Sequence, residues 1–171
     1  MTFTVKGCTF KIDFYFILVL ALAAVSGTNE LICLLTFSSL HELGHLIILA
    51  VCKGKAERIT FSYYGFALKY EDNLPRYKET LVILSGPIVN LIFYLILKDD
   101  INLILFVLNM LPVYPLDGGR IFKLYFHRAS RTVSIFILVF IYAFAIYLIA
   151  FNNSFSLLLI ALYLTVYSLN Y

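Results

Sequence analysis

The sequence predicts an all-α polytopic membrane protein with about six transmembrane helices and a short β-hairpin at the membrane surface. Of its 171 residues, 62% are hydrophobic and only 13% are charged, and the mean hydropathy is +0.93. A soluble domain of this length cannot hide so much apolar surface in one core. We expect a single membrane domain over residues 1–171, with its core at about 31–120.

Six apolar runs set the order of the predicted spans, because a full helical crossing needs about 20 residues. They cover residues 14–25, 31–52, 80–97, 101–113, 132–151 and 155–169. The fourth run is short because Asn109, Pro112 and Pro115 stop its helix. Irregular backbone at membrane depth is tolerated only inside protein or along a wet cavity. We therefore predict that the segment containing these residues belongs to the functional site. The first run also fits a cleavable signal peptide, and the sixth fits partial insertion.

The basic residues predict the orientation of the chain in the membrane. With the N-terminus in the cytoplasm, every lysine and arginine except Lys98 falls on the cytoplasmic side of the predicted spans. Short cytoplasmic loops normally carry this excess of positive charge. We therefore expect a multi-pass protein of a bacterial-type cell membrane with a cytoplasmic N-terminus.

The longest polar stretch, residues 53–78, contains a predicted β-hairpin centred on Gly65. Hydrophobic residues alternate with polar or small ones on both sides of this glycine, as in a hairpin with one apolar face. They are Ile59, Phe61, Tyr63, Phe66, Leu68 and Tyr70. An extended peptide could pair with the free edge of such a hairpin, and an interfacial turn anchored by tyrosines is an equally good interpretation.

A histidine pair with an intervening glutamate lies inside the second apolar run, in the sequence His41-Glu42-Leu43-Gly44-His45. Helical positions i and i+4 share one face, so both imidazoles can bind one metal ion, for which zinc is favoured. Glu42 then lies beside the open coordination position as a candidate general base. A buried carboxylate costs roughly 2.5–3.5 kcal/mol at the centre of a membrane helix, so chance is a poor explanation for this cluster.

Asp117 is the best candidate for a third metal ligand, because catalytic zinc sites usually have three protein ligands and a water. It follows the fourth run, where the predicted topology places it near the cytoplasmic side. Two glycines after Asp117 predict a tight turn, and Arg120 can anchor that turn at the lipid headgroups. Glu71 and Glu79 are the alternatives from later parts of the chain.

Three motifs in this order resemble the site-2 protease family of intramembrane zinc metalloproteases, peptidase family M50. They are the histidine pair, Ser85-Gly86-Pro87-Ile88-Val89-Asn90, and the run from Asn109 to Gly118. The run Leu116-Asp117-Gly118-Gly119 with two prolines before it, together with the short N-terminal segment and the absence of a PDZ insertion, most resembles the stage IV sporulation branch, which processes a pro-sigma factor. The CBS domain of some members is absent from this sequence, so regulation by a nucleotide is not expected.

The resemblance implies a role for each matching residue. His41, His45 and Asp117 would bind one zinc ion, Glu42 would be the base, and Asn109 and Pro112 would shape a substrate-holding segment. The implied partners are membrane-embedded or membrane-tethered substrates and an inhibitory membrane protein, with no nucleic acid.

Alternative interpretations remain for several of these residues. Asn90 is expected to hydrogen-bond between helices, and Gly86 and Pro87 to permit close packing. A proton or metal-ion transporter is an alternative function, although no internal pseudo-symmetry supports it.

Overall fold

The computed structural model describes residues 2–5, 8–12, 29–62, 65–70 and 74–169 of the chain. In these residues the helices are α1 (Asn29–Val51), α2 (Arg76–Leu97), α3 (Asp100–Asn109), α4 (Asp117–Tyr125), α5 (His127–Asn152) and α6 (Ser156–Leu169). The strands are β1 (Thr2–Val5), β2 (Cys8–Ile12), β3 (Ala56–Ser62) and β4 (Gly65–Tyr70). The predicted first span, residues 14–25, lies outside the described residues.

Three of the described helices, α1, α2 and α5, are long and apolar enough to cross a membrane. They have 23, 22 and 26 residues and coincide with the second, third and fifth predicted spans. The prediction of a mainly helical membrane protein is therefore confirmed. Helix α3 ends at Asn109, the first of the three residues predicted to stop it, and the two prolines that follow cannot donate a backbone hydrogen bond.

The chain forms two compact units, Met1–Phe106 and Val107–Tyr171. In the first unit α1 packs against α2 at a crossing made by small residues. A Cβ atom on Gly44 would lie 2.8 Å from Val89 Cγ2 and 3.0 Å from the Ser85 carbonyl oxygen. Only a glycine at this point of α1 allows so close an approach of the two helices.

A four-stranded sheet with the order β1-β2-β3-β4 belongs to the same unit. The predicted hairpin is present, since β3 and β4 pair antiparallel with Ser62 opposite Gly65. Strand β2 adds to β3 in parallel, so one edge of the predicted hairpin is covered. We did not predict the N-terminal β1–β2 hairpin, although residues 2–12 alternate around Gly7 in the sequence. Among the described strands, β4 has a partner on one side only.

A buried cluster of Leu49, Tyr70 and Val82 connects the sheet to the two helices. These residues come from α1, β4 and α2, and their exposed fractions are 1%, 7% and 0%. Because dense apolar packing resists displacement, this cluster holds β4 against the ends of both helices.

In the second unit, the segment between α3 and α4 is anchored to α5 and α6. Val113 is fully buried with Leu138 of α5 and Leu164 of α6. The Ser134 hydroxyl of α5 donates a hydrogen bond of 3.2 Å to the Pro112 carbonyl oxygen. The irregular backbone at residues 110–116 is therefore held by packing and by a side-chain hydrogen bond.

Candidate metal centre

The metal centre begins with the side chains of His41, Glu42 and His45 on α1. The atoms that these three residues offer to a metal ion all lie within 4.8 Å of one another. Both histidines are buried, with exposed fractions of 5% and 3%, in a continuous 23-residue helix. Regular helical backbone places positions 41 and 45 on one face, which is why this part of the site follows from sequence spacing alone.

The spacing of the two imidazoles fits a single metal ion. Nε2 of His41 lies 3.2 Å from Nε2 of His45. Two nitrogens bonded at about 2.0–2.1 Å to a tetrahedral zinc ion are separated by roughly 3.3 Å. The pair could therefore bind zinc through both Nε2 atoms with little movement of either ring.

Helix α2 orients His45 through a backbone carbonyl group. Nδ1 of His45 lies 2.7 Å from the Val82 carbonyl oxygen in a buried hydrogen bond. A carbonyl oxygen only accepts hydrogen bonds, so Nδ1 carries the proton and the lone pair is left on Nε2. Sequence reasoning missed this contact because backbone carbonyls carry no residue-specific signal.

Asn90 of α2 contacts the other histidine. Its amide lies 2.9 Å from Nδ1 of His41, measured from Nδ2, and its side chain is completely buried. Asn90 was expected to hydrogen-bond between helices, and its partner here is a candidate metal ligand.

Gly86 provides the space in which the two imidazoles lie. A Cβ atom at this position would come within 2.5 Å of His45 Nε2 and 2.6 Å of His41 Nε2. We predicted that Gly86 permits helix packing, and the structure places it against the two ligand nitrogens. A side chain larger than the hydrogen of glycine would therefore collide with both imidazoles.

Asp117 lies in the second unit, at the first residue of α4, and is 5% exposed. Arg120 forms an ion pair with it, with 3.5 Å between Nη1 and Oδ1. Arg120 therefore contacts the predicted ligand, where we had expected an anchor at the headgroups. The approach of Asp117 to the two histidines stays a prediction.

The two glycines after Asp117 are helical, which differs from the tight turn that we predicted. A Cβ atom on Gly118 would lie 2.3 Å from the Met110 carbonyl oxygen, and one on Gly119 would lie 2.4 Å from the Val113 carbonyl carbon. The glycines thus allow the start of α4 to touch the backbone of the preceding segment. This close approach positions Asp117.

The remaining candidate residues have defined places but untested roles. Asn109 ends α3 and Pro112 lies in the anchored segment, and both are partly buried. Their contribution to substrate binding stays a prediction. Glu79 lies in the first turn of α2, outside the three-residue metal-binding group, and Glu71 is not among the described residues.

Comparisons with known proteins find similar sequences and a similar fold. The family model of Peptidase family M50 matches residues 100–151. The chain is 26% identical over 130 residues to Stage IV sporulation protein FB of Bacillus subtilis, a match that covers 65% of this chain and 45% of that protein. It is 28% identical over 103 residues to a zinc metalloprotease of Methanocaldococcus jannaschii, covering 49% of this chain and 30% of that protein. The chain thus spans less than half the length of these curated relatives.

A solved structure shares the fold over nearly the whole chain. It is the site-2 protease from Methanocaldococcus jannaschii, with a TM-score of 0.65 and 20% sequence identity, and the match covers 99% of this chain and 94% of that one. At this identity the likeness shows a fold that the two chains share. The resemblance to the site-2 protease family, peptidase family M50, is therefore confirmed.

Proposed function

We propose that this protein is an intramembrane zinc metalloendopeptidase that cleaves membrane-embedded or membrane-tethered proteins. The observation that carries this proposal is the group formed by buried His41 and His45 and partly buried Glu42 on a helix apolar enough to cross a membrane. Ionisable side chains are costly at that depth and usually mark functional sites. The spacing of the two Nε2 atoms, 3.2 Å, supports their binding of one zinc ion.

Each residue has a defined task in this proposal. The two histidines and Asp117 hold the ion, which when bound polarises the scissile carbonyl and makes water a stronger acid. Glu42 is partly buried next to both histidines, so its carboxylate can take a proton from the attacking water and deliver it to the leaving amine. Asn109 and Pro112 shape the segment that holds the substrate.

The substrate would reach the centre as an extended chain. Strand β4 has a single strand partner among the described strands, and Tyr70 at its end packs with Leu49 of the metal-binding helix. A peptide that adds to β4 would lie close to the α1–α2 pair and would be held by main-chain hydrogen bonds. Substrates that unwind easily near the cut site should therefore be preferred.

The proposed substrate and partner rest on the name of one relative. Because Stage IV sporulation protein FB is among the similar proteins, we propose a pro-sigma factor or a regulator of sporulation-type signalling as the substrate, and an inhibitory membrane protein as partner. We also propose that residues 1–171 act as one multi-pass domain with the N-terminus in the cytoplasm.

Proteolysis by variants of the full chain tests the proposal. The purified protein is reconstituted with membrane-tethered candidate substrates, and both cleavage rate and bound zinc are measured. We expect Glu42→Gln to keep its zinc and to lose at least about 100-fold in cleavage rate, because a general base is removed without a ligand. Glu30→Gln, an exposed change at the start of the same helix, should cleave normally. Normal cleavage by Glu42→Gln would falsify the mechanism.

Zinc content of a second pair of variants tests the third ligand. Asp117→Ala should lose zinc because it removes one of three protein ligands, whereas Glu79→Ala should retain it. Loss of zinc in Glu79→Ala alone would assign the third ligand to α2.

A further inference from the structure

The contact between Asn90 and His41 has two chemically different forms. The two ends of a carboxamide have nearly the same shape, so a half-turn about its last torsion exchanges the nitrogen and the oxygen without moving the imidazole. If the nitrogen faces Nδ1 of His41, it donates to the ring, and the single proton of a neutral imidazole must be on Nε2. If the oxygen faces Nδ1, it accepts from the ring, and Nε2 carries a lone pair.

Only the second form is compatible with metal binding by both histidines. The Val82 carbonyl already holds the proton of His45 on Nδ1, so Nε2 of His45 offers a lone pair. Nε2 of His41 lies 3.2 Å from that atom, and a proton on it would occupy the position of the ion. His41 must therefore carry its proton on Nδ1, where it needs a hydrogen-bond acceptor.

The amide oxygen of Asn90 can supply that acceptor. It is buried and has no hydrogen-bond partner among the described residues. One end of the amide contacts His41 in either form and the other end is unpartnered, so the hydrogen-bonding need of His41 decides which form is adopted. Rotation of the amide brings it to Nδ1 of His41 at the observed separation of 2.9 Å.

We propose that Asn90 is a positioning residue whose amide oxygen accepts the Nδ1 proton of His41 and thereby holds that imidazole with Nε2 free for the metal. Helix α2 thus sets the protonated nitrogen of both histidines, through the Val82 carbonyl and the Asn90 side chain. Partners of this kind fix the orientation and the tautomer of metal-binding histidines. This inference rests on the proposed metal site and adds a residue to it.

Two substitutions at position 90 separate an acceptor from a donor. Asn90→Asp keeps an oxygen acceptor and removes the donor, whereas Asn90→Leu removes both at similar volume. In competition with a zinc chelator, the full chain in detergent should lose about 10–100-fold in zinc affinity with Asn90→Leu. Asn90→Asp should bind zinc at least as tightly as the unchanged protein, because a carboxylate is the stronger acceptor.

A matched control is available in the same unit. Asn102 is also completely buried, and its amide atoms have no partner among the described residues. Asn102→Leu should therefore leave zinc affinity unchanged, which separates the contact with His41 from a general effect of replacing a buried asparagine. Thermal unfolding of all three variants shows whether each is folded.

A spectroscopic measurement on the unchanged sequence completes the test. In zinc-loaded protein labelled with ¹⁵N-histidine, both ligand histidines should show a proton on Nδ1 and none on Nε2, and Asn90→Leu should alter the His41 signal. Equal loss of zinc affinity in Asn90→Asp and Asn90→Leu, or no loss in Asn90→Leu, would overturn the inference while leaving the proposed protease intact. Failure of the unchanged protein to bind zinc would instead reject the proposed function.

Discussion

Single residues of α2 contribute space and hydrogen bonds to a candidate metal site whose two histidines lie on α1. Gly86 leaves room for the imidazoles. The Val82 carbonyl contacts Nδ1 of His45, and Asn90 contacts Nδ1 of His41. A metal-binding helix in a membrane cannot rely on water to orient its ligands, so a neighbouring helix must do so. The orientation of the two histidines is therefore a property of the α1–α2 pair.

Gly86→Ala tests the space requirement. In an ordinary helix this change is favourable by about 0.5–1 kcal/mol, because alanine has the higher helix propensity. Here the added methyl group would lie 2.5 Å from His45 Nε2, and we expect zinc affinity to fall by about tenfold or more. The measurement is chelator competition, with Leu95→Ala on the exposed face of α2 as the control. Unchanged zinc affinity in Gly86→Ala would mean that the imidazoles lie elsewhere.

At the scale of elements, the irregular segment before α4 determines where Asp117 lies. Its backbone touches the first turn of α4 at two glycines, and its buried residue Val113 packs against α5 and α6. The prolines after α3 thus separate α3 from α4. The packing of Val113 against α5 and α6 holds the segment between them in one conformation. A flexible loop would lose this order and with it the position of the carboxylate.

Val113→Ala tests the packing of this segment. Loss of two buried methyl groups from a fully enclosed side chain should lower the free energy of unfolding by about 1–3 kcal/mol. Thermal unfolding in detergent measures the change, and zinc retention should fall with it because Asp117 loses its support. Val107→Ala, the same substitution at a half-exposed position of α3, is the control. Equal stability of the two variants would contradict the anchoring role.

At the scale of the whole molecule, the distribution of charge predicts the orientation of the chain in the membrane. The candidate spans α1, α2 and α5 carry few charges, whereas the segment between α1 and α2 is rich in lysine and arginine. Lys98 directly follows α2, is exposed and adopts a left-handed conformation with φ 56°. The positive-inside rule therefore predicts that the segment between α1 and α2 is cytoplasmic.

Reporter fusions test this topology. A reporter joined after Lys55 or after Tyr125 should be cytoplasmic, and one joined after Lys98 should be on the opposite side, because lysine and arginine resist translocation. The measurement is the activity of paired reporters that function on one side of the membrane only. Fusions after Lys55 and Lys98 that report the same side would contradict the prediction.

Several features were accessible from the sequence because they depend on local geometry. The rise and the period of an α-helix are set by its own backbone hydrogen bonds, so apolar run length indicated α1, α2 and α5, and the i, i+4 spacing paired His41 with His45. Alternation around Gly65 indicated β3 and β4, because successive side chains of a strand point to opposite faces of the sheet. Each of these features needs only residues that are near one another in the chain.

Other features were decided by the tertiary structure. Strand β2 pairs in parallel with β3, and Asn90 contacts His41, although these segments are distant in sequence. Gly118 allows a close backbone contact inside a helix, where we had predicted a turn. Partner choice across such distances depends on which apolar faces pack together, and no local pattern encodes it. The sequence by itself thus determined the helix that carries His41, Glu42 and His45, and only the packing of α2 against α1 decided how the two imidazoles are oriented.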